Sequence, residues 1–249
     1  AKSMNIKLNK ESKVLIADLG AGTSDFSVIN MKNGNFSSSD ILSVSGVNIA
    51  GDSFDYSLMK NFILPDFGSR VKYKRPGSSI EHGISKTLIQ QMSTPAVFSL
   101  INDSNIESYI EDAQDFVTDS KDLERLDNLE SLFDSKLGFD LMKEVEGAKI
   151  NLSSNLTSEL IYNKRGVKLK NSLSQKDYFN KSDEVTEKII NSLKESLETA
   201  NTHSEDIEYI LCTGGSVQNP LFLEKLKEIF GAEKLILSNK QGSVVFGLE

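Results

Sequence analysis

The sequence predicts an α/β fold with a second module inserted into it, and three observations point there. Strand-like and helix-like periodicities follow the order βββ-α-(variable)-αα-ββ-α-β-α-β. Two strand-like segments run straight into small-residue turns, Gly20-Ala21-Gly22 and Gly214-Gly215-Ser216. The 249 residues, 38% apolar and 26% charged with four prolines, suffice for one large domain or two modest ones, either with a real core.

Residues 13–18, 24–31 and 40–49 read as strands joined by short turns, the second turn carrying KNGN. Phe54, Leu58, Met59 and Phe62 then fall at helical spacing behind Gly51 and Asp52, so a helix starts near residue 52. From Pro65 to about Ser120 the pattern weakens. RVKYKRPGSS is a basic, turn-rich loop, and TLIQQMSTPAVFSLI fits helix on either side of Pro95. Residues 121–136 and 138–153 place apolar side chains every three or four positions, a helical hairpin broken at Gly138. SELIYN and GVKLKN form a β-hairpin around Lys164-Arg165-Gly166. A long helix follows to about Ala200, with Val185, Ile189, Ile190, Leu193 and Leu197 on one face. IEYILCT is the next strand, NPLFLEKLKEIF a helix with Pro220 in its first turn, and KLILS the last strand.

The net charge of −8 argues against an extended surface for nucleic acid or an anionic membrane. A single cysteine, Cys212, removes disulfides and cysteine-rich zinc sites, and inside YILCT it reads as a buried small side chain. His82 and His203 lie far apart and lack metal-ligand spacing. With no signal-peptide pattern and no apolar run long enough for a bilayer, the expectation is a cytoplasmic protein with no membrane or nucleic-acid partner. The opening AKSMNIKLNKES lacks an initiating methionine, and at the closing VVFGLE a helical pattern has only begun. Both predict a piece of a longer protein.

The chemistry concentrates in three segments. In DLGAGT, the small residues Gly20, Ala21 and Gly22 let backbone N–H groups approach an anion, and Thr23 adds a hydroxyl donor. Asp18 would repel a phosphate directly; it fits if a hydrated Mg2+ stands between them. The same turn read alone also fits a tight hairpin with a solvated acid. In CTGGSVQNP, a strand ending in Gly214-Gly215-Ser216 brings backbone close to something flat or anionic, though such a pair also occurs in plain loops. In EGAKINLSS, Glu146, Lys149, Ile150 and Ser153 share one helix face. There a carboxylate and an ammonium can hydrogen-bond a ribose, or the face is simply solvated.

Taken in order, these segments resemble the actin-like ATPase superfamily, and most closely the DnaK-type heat-shock protein 70 chaperones. DLGAGTSDFSV is similar to that family's second phosphate motif, GVNIAGDSFDYSLM to the glycine-opened helix that starts its upper subdomain, EGAKINLSS to its adenosine helix, and GGSVQNPLFLEKLKEIFG to its adenosine loop. The resemblance covers 13–64 and 137–247 and leaves 65–136 unmatched. The 91 positions from Asp55 to Glu146 exceed the usual interval, which suggests a divergent, short bacterial branch.

The resemblance implies the second lobe of an actin-like (ribonuclease H-like) ATPase. Its mixed-sheet core subdomain would be 1–50 and 174–249, with an enlarged α+β upper subdomain inserted at 51–173. It implies ATP/ADP and Mg2+ as cofactors. Asp18 would be the magnesium-side acid acting through water, and Gly20, Ala21, Gly22 and Thr23 would bind the β/γ-phosphates, with Thr23 near the γ-phosphate. Glu146, Lys149, Ile150, Ser153, Gly214, Gly215, Ser216 and Gln218 would surround the adenosine. The first lobe of the same domain would be the main partner, and a co-chaperone or exchange factor would grip the upper subdomain. The chain would be half of an ATP hydrolase, inactive alone. Three departures predict weaker adenine affinity even in the intact protein: Ala21 for a glycine, Gln218 for an adenine-stacking arginine, and Gln241 near a position that is ordinarily aspartate. A filament-forming actin homologue, a small-molecule kinase of the superfamily and a non-enzymatic interaction module are the alternatives. The basic loop with Arg70, Lys72, Lys74 and Arg75, followed by the acidic stretch 107–130, is expected to be a partner surface, with a cap over the cleft as the alternative; as a partner surface its deletion (69–76) leaves folding and nucleotide binding intact.

Overall fold

A computed structural model of the chain describes residues 11–237 apart from 33, 34, 36, 99 and 102. The centre of the KNGN turn, the end of KLILS, both chain ends and Gln241 lie outside the described residues. The chain divides into two compact units, Ala1–Gly51 with Asp183–Glu249, and Asp52–Ser182.

The first unit is built on alternation. Strand β1 (Glu11–Leu19) pairs antiparallel with β2 (Ser24–Lys32), and β2 with β3 (Ile41–Val47). On the other side β1 pairs in parallel with β6 (Ile207–Thr213), and β6 with β7 (Leu235–Leu237), giving a mixed five-stranded sheet in the order β3-β2-β1-β6-β7. Leu15, Ala17, Leu19, Phe26, Val28, Ile210 and Cys212 are fully buried. Within this unit, Ile189, Ile190, Leu193 and Leu197 form the buried stripe of α7 (Gln175–Thr199). The fit of β3 to α7 is polar and tight. Ser43 donates to the Ser196 carbonyl at 2.7 Å and Ser45 to that of Ser192 at 3.0 Å. Helix α8 (Pro220–Phe230) opens with Asn219 accepting the Leu221 N–H, while Pro220 sits where no N–H is needed.

The second unit starts with α1 (Gly51–Leu58), continued by a π-helical turn, Met59–Ile63, and a 3-10 turn, Leu64–Phe67, closed by Gly68 at φ 74°. Then come α2 (Lys86–Ser93), the short α3 (Pro95–Phe98), α4 (Asp103–Gln114), α5 (Ser120–Asp134) and α6 (Gly138–Leu152). Gly138 opens α6 because a Cβ there would lie 2.1 Å from the Phe98 ring, which stacks on Phe133. The hairpin β4 (Thr157–Lys164) and β5 (Val167–Ser174) turns on only Arg165 and Gly166, both at positive φ, one residue tighter than the sequence suggests. The side-chain amide of buried Asn128 on α5 stands in for a neighbouring strand, accepting the Lys168 N–H and donating to its carbonyl.

Two expectations change here. The weak stretch before Ser120 contains a 12-residue helix, α4, buried through Ile106, Ile110 and Ala113. The basic loop is largely folded inward. Val71 and Tyr73 join a core with Ala113, Val117 and Leu126, Tyr73 stacks on His82 and Phe116, Arg75 binds Asp112 at 2.7 Å, and Arg70 donates to the Asn61 carbonyl. Lys72 and Lys74 remain exposed.

Candidate functional site

In the first unit the site forms at the carboxyl ends of the adjacent parallel strands β1 and β6, where Asp18 pairs with Thr213. Each strand leaves the sheet through small residues. Ala21, Gly22 and Thr23 are exposed at the tip of the first turn, whose Gly20 N–H donates to the Thr23 carbonyl at 2.9 Å. Gly214 takes φ 92°, and a Cβ there would lie 2.0 Å from the Leu19 carbonyl oxygen and 2.9 Å from Asp18 Oδ1. Only glycine lets the second loop lie this close over the end of β1. Gly215 has open space around it, and exposed Gln218 ends the 3-10 turn Gly215–Gln218. The Ser216 hydroxyl donates to the Gly20 carbonyl at 2.7 Å, so the two turns are joined.

Asp18 and Asp25 face each other as cross-strand partners. Burial first, and the neighbouring Asp25 charge second, hold the Asp18 carboxyl above its ordinary range. The Thr23 hydroxyl donates to Asp25 Oδ2 at 2.9 Å. Gly46 on β3 makes room for Asp25, since a Cβ there would lie 2.5 Å from Asp25 Oδ1. Two carboxylates beside an exposed small-residue turn suit a cation that bridges an acid and an anion. This fit rests on the crowded Asp18 carboxyl and the glycine-lined approach.

In the second unit, α6 carries Glu146, Lys149 and Ile150, and Ser153 caps its C-terminus. Glu146 and Ile150 are exposed, Ile150 at 61%. Lys149 binds Asp55 Oδ2 of α1 at 2.6 Å, and the Ser153 hydroxyl donates to the Lys149 carbonyl at 3.3 Å. The Asp55 side chain is 9% exposed, and among the described residues its Oδ1 has no hydrogen-bond partner. Burial drives its pKa up, against the lowering pull of Lys149.

Sequence reasoning assigned no role to Asp25, Gly46, Gly51 or Asp55. The signals were there: Asp25 lies two residues beyond Thr23, and the GDSFD segment carries Gly51 and Asp55. Their partners, however, are distant in sequence.

A mixed five-stranded sheet with helices, its parallel strands β1 and β6 ending in glycine-lined turns, defines a mixed α/β class of protein. The comparisons give the family. The family model described as Hsp70 protein matches residues 3–80 and 105–247. The chain belongs to the Hsp70 family. It is 25% identical to the chaperone protein DnaK of Mycoplasma mobile over 228 residues, which is 89% of this chain and 28% of that protein. The chaperone protein DnaK of Ureaplasma parvum is 26% identical over 228 residues, covering 91% of this chain and 29% of the relative. That of Mycoplasmopsis pulmonis is 46% identical over 55 residues, 22% of this chain and 9% of the relative. The chain thus spans less than a third of the length of these curated relatives. The family match leaves 81–104 uncovered, a shorter stretch than the motifs alone leave unmatched. Among the described residues no helix is long and apolar enough to cross a membrane.

Proposed function

We propose that this chain is the second lobe of an actin-like ATP-binding domain in a DnaK-like cytoplasmic chaperone. On this reading 1–50 with 174–249 form the core subdomain and 51–173 the enlarged upper one. Asp18 holds Mg2+ through water, the turn 20–23 takes the β/γ-phosphates, and Gly214, Gly215 and Gln218 take the adenosine. The observation that carries the reading is the meeting of two small-residue turns at the ends of parallel β1 and β6, beside the crowded Asp18. The crevice beyond the carboxyl ends of parallel strands is where open α/β sheets bind ligands. When bound, Mg2+ supplies charge neutralisation at the phosphates. The chain's own residues orient the anion and exclude side-chain bulk from it.

Titrating the 249-residue chain with Mg-ADP, followed by calorimetry and by backbone amide shifts, tests the proposal. Saturable binding with the largest shifts at 20–23 and 214–216 is expected. No binding at millimolar ADP, or shifts confined elsewhere, overturns it.

A further inference from the structure

The Gly20 carbonyl has unusual partners for a turn residue. A chain reversing between β1 and β2 can close its turn with the Thr23 N–H donating back to the Gly20 carbonyl, but among the described residues no such bond is present. The Gly20 oxygen instead accepts the Ser216 hydroxyl at 2.7 Å and the Gly51 N–H at 3.3 Å. Gly51 permits this geometry by lacking a side chain, since a Cβ on it would lie 2.6 Å from Ser216 Oγ and 3.4 Å from the Ala21 carbonyl oxygen.

The consequence follows from the planarity of the peptide bond. The Gly20 carbonyl and the Ala21 N–H belong to one trans peptide unit and point in opposite directions. Two donors that hold the carbonyl, one on the second loop and one at the start of α1, therefore aim the Ala21 N–H out of the turn. Ala21 is exposed, and among the described residues its N–H has no hydrogen-bond partner. Were the same peptide plane to flip, a carbonyl oxygen would face the incoming anion and repel it.

We propose that Ser216, with Gly51, is a positioning residue that locks the Gly20–Ala21 peptide so that the Ala21 N–H faces the phosphates. This assigns Ser216 to the phosphate end of the ligand, whereas the family resemblance assigns it to adenosine. The inference rests on the proposed nucleotide site. It adds that occupancy of the second loop by Ser216 tunes anion affinity across 196 residues of sequence separation.

The test uses the 249-residue chain with pyrophosphate, Mg-ADP and adenosine as separate probes. Ser216→Ala is expected to weaken pyrophosphate and ADP about five- to tenfold, the scale of one net hydrogen bond, and to leave adenosine affinity unchanged. Ser216→Thr keeps the hydroxyl and should restore binding. Gly51→Ala, which displaces that hydroxyl, should copy Ser216→Ala. Equal losses for adenosine and ADP, or unaltered pyrophosphate affinity, overturn the inference. A wild-type chain that binds neither ADP nor pyrophosphate overturns the proposed function instead. The lock is then read without ligand, from the carbonyl carbon-13 resonance of Gly20. That resonance should move in Ser216→Ala, return in Ser216→Thr, and sink the inference if it stays in place.

Discussion

Lys149 and Asp55 show how a residue on a helix face acquires a fixed task. At 17% and 9% side-chain exposure, both charges have given up most of their water, and they meet at 2.6 Å. Such a pair contributes little net stability as a pair, but removing one member strands the other charge. Lys149→Met is expected to destabilise the chain by about 3–5 kcal/mol in urea unfolding, because it leaves the buried Asp55 carboxylate uncompensated, while Lys149→Met with Asp55→Leu recovers most of that loss. A loss below about 1 kcal/mol for the single variant would show that water reaches the site freely. The pH dependence has a definite sign. Folding raises the Asp55 carboxyl above 3.8, so its contribution to stability is present below that value and is lost as pH rises through the folded one. Asp112 behaves oppositely. Hydrogen bonds from Arg75 and then Tyr73 hold it below 3.8, so its contribution is present above that value and is lost as pH falls through the folded one. Carboxyl carbon-13 titration should find Asp112 ionising before, and Asp55 after, an ordinary aspartate.

Among the elements, those with a single strong period were legible. β1 and β2 alternate, α7 has a continuous apolar stripe, and the hairpin announces itself with Arg165-Gly166. α4 was not legible, because Glu107, Glu111 and Asp112 crowd a short apolar stripe of Ile106, Tyr109, Ile110 and Ala113. The basic loop misled for a related reason. Its alternation places Val71 and Tyr73 inward between Arg70, Lys72 and Lys74 outside, and charge density hid a two-residue anchor. Deleting 69–76 is therefore expected to unfold the α4–α5 core rather than to spare it, since losing one buried aromatic alone costs about 3–5 kcal/mol. Lys72→Ser with Lys74→Ser should leave the melting temperature unchanged. A deletion variant that keeps wild-type circular dichroism and melting would contradict this packing.

On the scale of the whole molecule, the small-residue turns and their order were readable because their chemistry depends on what is absent, namely side-chain bulk. What joins them was not readable. Ser216 reaches Gly20 across 196 positions and Lys149 reaches Asp55 across 94, and neither pairing has a local pattern. The same inventory bears on catalysis. Neither DLGAGTSD nor CTGGSVQ contains a lysine or arginine, and Asp18 and Asp25 add negative charge where a phosphoryl group would develop more. Phosphoryl transfer is catalysed by positioning and by neutralising that charge, and Mg2+ alone leaves the attacking water unplaced. The one hydroxyl at the turn tip, that of Thr23, is engaged with Asp25. The 249-residue chain with saturating Mg-ATP is therefore expected to release no phosphate above the buffer rate, even while it binds ADP. Joined to a first lobe that supplies a cation and a water-orienting acid, it should turn over. Steady phosphate release by the isolated chain, surviving repeated purification and abolished by Asp18→Asn, would show that these two turns suffice for hydrolysis and that the half-site reading is wrong.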